Sequence, residues 1–509
     1  MIEFGNKHTS IASANPNRMY FAVLALALLF YVFSCAPGAL WQDSGVIQYR
    51  VLHNDIEGGM GLALSHPLFY IIAIAVKYVP LGNFLYRVNL VSAIAAALAV
   101  GNIFLFVRLL TARNFAAVIA AITLAVSHTF WRHGSIIETY TLYTALFTTE
   151  LILLLLYIKS SRVKYLYWLG FISGLSIATH MLGSLALLCY GIFFVYLLAK
   201  KKIFVKDFLI IVLVWILGAL PYEFLIIKNI AASGDFLGTL ASAAFGNGWQ
   251  GDVLNTALSA RIIKENILFI GLNFPTPNIL LFFAGVWVLF RDSRAKAIRN
   301  ILLALTLLFF IFAFRYTIAD RYAFFIPFYC MVSIFIGYGV GFLQSAAKRR
   351  ILAYLILAFS VLPVLIYWFL PSVVKSRGIS LGISRTIPYR DEYNFFLQPW
   401  KDGYHGADRF STEALESVEK NAVIYADGTT AYALLLTREI ENKRTDVSVV
   451  SNHATINNIG EYGSEAIANL ISERAVYVVS PRPGYCPEFL LERYDFVKAG
   501  VLHRVVEKH

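Results

Sequence analysis

Runs of about twenty apolar residues recur along most of this 509-residue chain, and they restrict its possible folds more than any other feature. A helix of that length crosses the ~30 Å hydrocarbon core of a bilayer. Only 15% of the residues are charged, against roughly 25% in soluble domains. We therefore predict an all-α polytopic membrane protein with about eleven transmembrane helices. The runs lie near residues 19–36, 88–110, 115–131, 141–158, 165–180, 182–199, 207–227, 272–290, 301–316, 323–344 and 351–371.

The positive charges predict how the chain is oriented. The net charge of +12 comes from short basic clusters between apolar runs, a pattern typical of topology signals rather than of a nucleic-acid binder. The first run follows Lys7 and Arg18 and lacks a small-residue cleavage site, so it is predicted to be retained, with a cytoplasmic N-terminus. The clusters in alternate loops are Arg108 and Arg113; Lys159, Arg162 and Lys164; Lys200, Lys201, Lys202 and Lys206; Arg291, Arg294, Lys296 and Arg299; and Lys348, Arg349 and Arg350.

Five segments are then predicted to lie outside the cytoplasm: residues 37–86, 132–140, 228–271, 316–322 and everything after 372. Residues 37–86 form a first external loop, in which "LALSHPLFYIIAIAVKYVPLG" favours an amphipathic helix at the membrane interface. Residues 1–372 would make up the transmembrane domain, and residues 373–509 a small external α/β domain, because short strand-like runs such as "NAVIYADG" and "RAVYVVSP" alternate there with helical segments. That region has neither a Walker loop nor a GxGxxG motif, so nothing indicates nucleotide binding.

Ionisable and aromatic residues collect at the predicted external edge of the membrane. Such groups are costly at that depth unless they are paired or functional. Each has a plainer explanation: a carboxylate can stabilise a helix N-terminus, a histidine can be a hydrogen-bonded core residue, and an arginine can extend to the interface. Because all of these residues are predicted to lie on the same side of the membrane, we favour the interpretation that they form a functional site. The residues are Asp43, His66, Trp131, Arg132, Glu138, His180 and Arg321.

This combination suits transfer of a group from a lipid-anchored phosphate donor. A carboxylate at the water edge can take a proton from an acceptor hydroxyl, and burial can raise its pKa toward working pH. A nearby arginine can hold the donor phosphate and stabilise charge on the leaving group. The lipid tail would stay in the bilayer.

Several segments, in this order, resemble the GT-C superfamily of integral-membrane glycosyltransferases. The likeness is to the bacterial branch related to protein O-mannosyltransferases. The matching segments are "WQDSG", "SHPLFY", "YRVNLVSAIAAALAV", "FWRHGSIIETYTLY", "GLSIATH" and "DRYAFFIPFY", with "ADG" and "RTDVSVV" in the tail. Val46 stands where relatives often carry a glutamate, and Leu68 where they carry a second proline.

The resemblance implies a role for four residues. Asp43 would be the catalytic base, Glu138 would support it, His66 would flank the same cavity and Arg321 would contact the lipid-linked phosphate. Trp131, Arg132 and His180 fall within matching segments and are expected to contact substrate. The resemblance also implies inversion at the sugar carbon.

The predicted function is transfer of a sugar from a polyprenyl-phosphate donor to a hydroxyl of a protein, glycan or lipid, outside a bacterial plasma membrane. No cofactor is expected. The first loop lacks a DxD motif and is not predicted to bind a metal, although Asp55 and Glu57 leave a divalent ion open. The alternatives are a membrane transporter, for which no internal repeat is evident, and a non-catalytic glycan-binding scaffold.

Overall fold

The structure, a computed structural model, describes residues 16–80, 82–318, 320–346, 350–382, 385–451 and 464–508. Lys7, Lys348 and Arg349 of the orientation argument lie outside these residues. The helices are α1 Pro16–Ser34, α2 Gln42–Leu52, α3 Pro67–Val76, α4 Phe84–Thr111, α5 Asn114–Ala125, α6 His128–Ser135, α7 Tyr140–Ser160, α8 Lys164–Thr179, α9 Gly183–Ala199, α10 Val205–Ser233, α11 Phe236–Phe245, α12 Gln250–Val253, α13 Ala260–Asn273, α14 Leu280–Arg291, α15 Lys296–Arg315, α16 Ile326–Ala346, α17 Arg350–Ser376, α18 Glu392–Leu397, α19 Gly406–Glu416, α20 Ala431–Ile440, α21 Ser464–Glu473 and α22 Glu488–Arg493.

The described residues include seven helices long and apolar enough to cross a membrane, and up to nine spans if two bent pairs each count as one. The bent pairs are α5 with α6, at 66°, and α13 with the 277–291 segment, at 106°. All eleven predicted apolar runs correspond to helices, but α8 and α9 have only 16 and 17 residues. At 1.5 Å per residue they are about 24 and 26 Å long, shorter than the ~30 Å bilayer core. The protein is nonetheless a multi-pass membrane protein, as predicted.

Small residues allow the closest contacts between helices. Gly174 on α8 and Gly218 on α10 face each other, and a side chain on either would collide with the backbone of the opposite helix. Gly285 on α14 and Gly339 on α16 repeat the arrangement. In a bilayer, where lipid tails are as apolar as leucine, such close backbone packing replaces the hydrophobic effect as the source of helix association.

Two segments depart from the sequence prediction in ways that shape the site. The predicted loop after the first span folds into a helix, α2, whose first turn carries Asp43. The predicted span 115–131 breaks after Ala125, so that α6 turns away and carries its residues across the end of the bundle. The interfacial segment forms a helix over Pro67–Val76, with Pro67 at its first position, where a missing N–H costs nothing.

The C-terminal region contains a five-stranded sheet. Its strands are β1 Val423–Tyr425, β2 Ser448–Val450, β3 Val476–Val478, β4 Tyr494–Ala499 and β5 Leu502–Glu507, in the order β2-β1-β3-β5-β4. Strand β1 is parallel to β2 and β3, and β5 is antiparallel to β3 and β4. The alternating strands and helices confirm the predicted fold class. The boundary at residue 372 remains a prediction, and α17 runs through it to Ser376.

A shared apolar cluster joins this C-terminal region to α2. Trp41, Val46 and Tyr49 are buried in one cluster with Phe410 and Tyr432. Val46, at the position where relatives often have a glutamate, is 5% exposed. A valine there favours packing between α2 and the sheet-containing region.

Candidate active site

A cavity of about 580 Å³ lies at one end of the helix bundle. Its wall is formed by the start of α2, the end of α6, the start of α7, the end of α8 and the segment before α16. Because neighbouring helices run in opposite directions, these termini meet at the same end. Among the predicted site residues, five line this cavity: Asp43, His66, Arg132, Glu138 and His180.

Three carboxyl groups face the cavity from separate elements. Asp43 stands in the first turn of α2, where the helix dipole favours a negative charge. Glu138 lies between α6 and α7, and its carboxylate Oε1 accepts a 2.8 Å hydrogen bond from the Ser44 hydroxyl. The Ser92 hydroxyl contacts the backbone N–H and the carbonyl of Glu138, each at 2.9 Å. Asp320, in the segment before α16, completes the set.

Burial changes the protonation of two of these groups. Desolvation raises the pKa of Glu138, and the negative charge of Asp43 raises it further. The same two causes, in the same order, raise the pKa of Asp320. Carboxylates that share one cavity cannot all be ionised cheaply, although Asp43 itself is exposed. The cavity therefore favours a state in which Glu138 and Asp320 hold protons beside Asp43.

Two arginines, Arg50 and Arg132, are among the lining residues of this cavity. Arg50 donates to the Ile56 carbonyl at 2.8 Å and pairs with Asp55 at 3.4 Å, so it is compensated within the protein. Arg132 differs. Its side chain is 5% exposed, and in the described part of the chain its guanidinium forms no hydrogen bond and no ion pair. Three aromatic rings lie near it, with the guanidinium carbon 4.9 Å from the ring centre of Phe395, 5.1 Å from Phe396 and 5.7 Å from Tyr322. A buried arginine without a hydrogen-bonding partner is costly, so its donors are available to an anionic ligand.

Two neutral histidines form another part of the wall. His66 and His180 stack with ring centres 4.8 Å apart. His66 Nδ1 lies 2.9 Å from the Thr179 carbonyl and so must donate, which leaves Nε2 as an acceptor. His180 Nδ1 instead accepts from the Leu182 N–H at 3.1 Å, which leaves its Nε2 as a donor. Burial, followed by the charge of Arg50, lowers the pKa of His66 to about 3.

The structure does not bring the other two predicted residues to the cavity wall. Trp131 is buried between α1 and the C-terminal region, where its indole N–H donates to Ser34 Oγ at 3.0 Å. Its ring centre lies 5.1 Å from that of Trp400. Arg321 is buried, pairs with Glu265 and donates to Asn266 Oδ1 at 3.3 Å. Its position suits anchoring of the segment before α16 to α13.

Sequence reasoning missed several residues of the cavity wall. Phe395 and Phe396, which cover Arg132, come from α18, more than 250 residues away along the chain. No motif indicated them. Tyr140 could have been noticed, because it lies two residues after Glu138 in a matching segment, and its ring centre is 5.0 Å from that of His180.

No group of three His, Cys, Asp or Glu side chains within the described ranges is arranged to hold a metal ion. The prediction about metals and cofactors stays a prediction.

The fold is similar to those of solved membrane-protein structures. The crystal structure of ArnT from Cupriavidus metallidurans bound to undecaprenyl phosphate superposes with a TM-score of 0.59 at 13% identity, covering 97% of this chain and 98% of that one. The apo form of the same protein gives 0.57 at 12% identity, covering 96% and 98%. The chain has the GT-C fold. An archaeal oligosaccharyltransferase, AglB from Archaeoglobus fulgidus, gives 0.48 at 14% identity, covering 91% of this chain and 69% of that one.

Part of the sequence also matches a known protein family. Residues 63–203 match the N-terminal domain of the protein O-mannosyl-transferase TMEM260. This range runs through α3–α9 and contains His66, Arg132, Glu138 and His180, whereas Asp43 precedes it. The predicted resemblance to GT-C proteins related to O-mannosyltransferases is confirmed. The roles of individual residues remain predictions.

Proposed function

We propose that this GT-C protein is a glycosyltransferase that moves a sugar from a polyprenyl-phosphate donor to a hydroxyl group of a protein, glycan or lipid. The observation that carries the proposal is Arg132, a buried guanidinium without an internal hydrogen-bond partner in the described chain, in a cavity that also holds Asp43 and Glu138. A cation alone would suit many anions. A cavity that holds both a cation and carboxyl groups provides a phosphate-binding site and a general base together.

The proposed step begins with Asp43 as a carboxylate, which takes the proton of the acceptor hydroxyl. The hydroxyl oxygen attacks the anomeric carbon, the bond from that carbon to the phosphate oxygen breaks, and polyprenyl phosphate leaves with an added negative charge. Arg132 stabilises that charge. Glu138, with its pKa raised by burial, keeps its proton and limits repulsion of the phosphate.

The rest of the cavity suits the other parts of the donor. Tyr140, Phe324 and the His66–His180 pair offer flat ring faces together with one hydrogen-bond acceptor and one donor for sugar hydroxyls. The side formed by Met181, Leu185 and Phe245 is apolar and suits the start of a prenyl chain.

The comparisons support the donor class. ArnT, which shares the fold, is described as bound to undecaprenyl phosphate, and the matching family model is named for O-mannosyl transfer. Mannosyl phosphoundecaprenol is therefore the first donor to test, with a Ser/Thr-rich peptide as the acceptor. The fold gives no support to the transporter alternative. Reaction at the external face of a bacterial plasma membrane follows from the charge pattern and forms part of the proposal.

The test compares purified wild-type protein with Asp43→Asn. We expect kcat to fall by about 10²–10⁴-fold, the usual contribution of a general base. Binding of undecaprenyl phosphate should persist, because Arg132 is intact. Asp495→Asn is the matched control, since Asp495 is exposed on β4 and does not line the cavity. Unchanged transfer in Asp43→Asn would exclude this base.

A further inference from the structure

The segment that leads into α2 is held by the C-terminal region at three points. The Ala39 N–H donates to Asp408 Oδ1 at 2.9 Å. The Trp41 indole N–H donates to the Tyr404 hydroxyl. The Gln42 N–H, one of the amides at the helix start without a partner inside α2, donates to the Thr429 carbonyl at 3.1 Å. These contacts fix the backbone immediately before Asp43.

Gln42 has an unusual backbone conformation. Its φ is +53°, in the left-handed region that side-chain-bearing residues seldom occupy. Such a conformation persists only where its surroundings impose it. Asp43 is the next residue, so the direction in which its side chain leaves the backbone depends on how Gln42 is held.

The holding group is the turn after β1, which is itself fixed by a buried ion pair. The Asp427 carboxylate accepts the Thr429 N–H at 2.9 Å. Arg385 binds the same carboxylate through both terminal nitrogens, at 2.7 and 2.6 Å, and its guanidinium carbon lies 3.9 Å from the ring centre of Tyr485. Arg385 is 4% and Asp427 8% exposed, and neither lines the cavity.

We propose that the Arg385–Asp427 ion pair is a positioning element of the transferase site: it fixes the Thr429 carbonyl against Gln42 and so aims Asp43 into the cavity. The inference rests on the proposed role of Asp43 as the base. It gives the "ADG" segment of the tail a function, and it makes the turn after β1 a part of the active site although this turn does not line the cavity.

The decisive variant is Asp427→Asn, which keeps the shape of the side chain but loses the charge that binds Arg385. We expect kcat for transfer from mannosyl phosphoundecaprenol to fall on the order of 10–100-fold, as small displacements of catalytic groups can cause. KM for the donor should stay within about twofold, because Arg132 is unaffected. Arg385→Lys, which keeps one charged contact, should retain more activity than Arg385→Gln.

The matched control is Asp446→Asn. Asp446 pairs with Arg444 at 3.0 Å in the same region, but before β2 rather than after β1. This variant should leave kcat unchanged. Thermal unfolding of all variants separates a loss of positioning from a loss of folding.

Hydrogen exchange supplies a readout that needs no donor. Exchange at the Gln42 amide should increase in Asp427→Asn and stay at the wild-type level in Asp446→Asn. Unaltered exchange at Gln42 in Asp427→Asn would overturn the inference even if the chain uses a different donor. An equal loss of kcat in both variants would overturn it too. If the wild-type protein were inactive but the exchange pattern were as expected, the proposed function would be contradicted. The positioning of Gln42 by the Arg385–Asp427 ion pair would still be supported.

Discussion

Arg132 and Arg321 lie at the same end of the bundle and are each 5% exposed, yet their surroundings differ. Arg321 is satisfied by Glu265 and by Asn266. Arg132 lies beside the rings of Phe395 and Phe396 and interacts electrostatically with Glu138, but within the part of the chain that the structure describes it has no hydrogen bond and no ion pair. A buried charge must be compensated. Arg321 is compensated by the protein, whereas in the proposed function Arg132 is compensated by the anionic ligand. This contrast moves the proposed phosphate contact from Arg321, where the resemblance put it, to Arg132.

Removing the charge of each arginine in turn tests which of the two binds the donor phosphate, and among the tests of this comparison it has the largest expected effect. Arg132→Gln should lower transfer by about 10²–10³-fold, because the leaving phosphate loses its stabilising charge. Arg132→Lys should recover part of this, since a point charge remains without the planar fork. Binding of undecaprenyl phosphate, measured by native mass spectrometry, should weaken in parallel.

Arg321→Gln serves as the control for that pair of variants. It removes an equally buried positive charge but should leave the affinity for undecaprenyl phosphate close to that of the wild type. A larger loss of affinity in Arg321→Gln than in Arg132→Gln would restore the original assignment.

A second prediction concerns pH and the carboxyl groups that face Arg132. The pKa of Glu138 is raised, so Glu138 is neutral below that pKa and negative above it. As the pH rises, the cavity gains negative charge and should repel the anionic donor. The KM for the donor should therefore increase on the alkaline side, by about tenfold per pH unit at most.

Glu138→Gln tests this cause directly, because glutamine stays neutral at every pH. The alkaline rise in KM should shrink in that variant, whatever its activity at neutral pH. A part should remain, since burial and Asp43 also raise the pKa of Asp320. An alkaline rise of the same size in Glu138→Gln would show that another group is responsible.

The sequence was a good guide where a local property decides the structure. Apolar runs of sufficient length became helices, and the strand-like runs of the tail became β1–β5. The last run, "YDFVKAGVLHRVVEK", forms the β4–β5 hairpin, because Gly500, with a φ of +59°, allows the chain to reverse. The break after Ala125 was not predicted, since both flanks are apolar enough to continue one span.

The site was only partly predictable, because which of its charged residues are paired depends on partners that are far away along the chain. Arg132 and Arg321 look alike in the sequence, each beside aromatic residues at a helix end. What separates them is Glu265, which pairs with Arg321 across 56 positions, and the Phe395–Phe396 pair, which covers Arg132 from the C-terminal region. Neither contact follows from periodicity or spacing. The common side of the polar residues could be inferred, but which charges would be left for a ligand could not.

The smallest expected effect concerns Arg321 and its ion pair with Glu265. Glu265 accepts from Arg321 and also from the exposed Arg261, at 2.7 Å. Glu265→Gln should destabilise the protein by about 1–3 kcal/mol, because the buried Arg321 loses its charged partner. Transfer should fall only a few-fold, through looser packing of the segment that carries Asp320. Thermal unfolding in detergent, with Lys264→Gln on the same helix as the control, measures the first effect, and kcat measures the second. If Glu265→Gln instead abolished binding of undecaprenyl phosphate while the unfolding temperature stayed unchanged, the Glu265–Arg321 pair would belong to the ligand site and the contrast with Arg132 would fail.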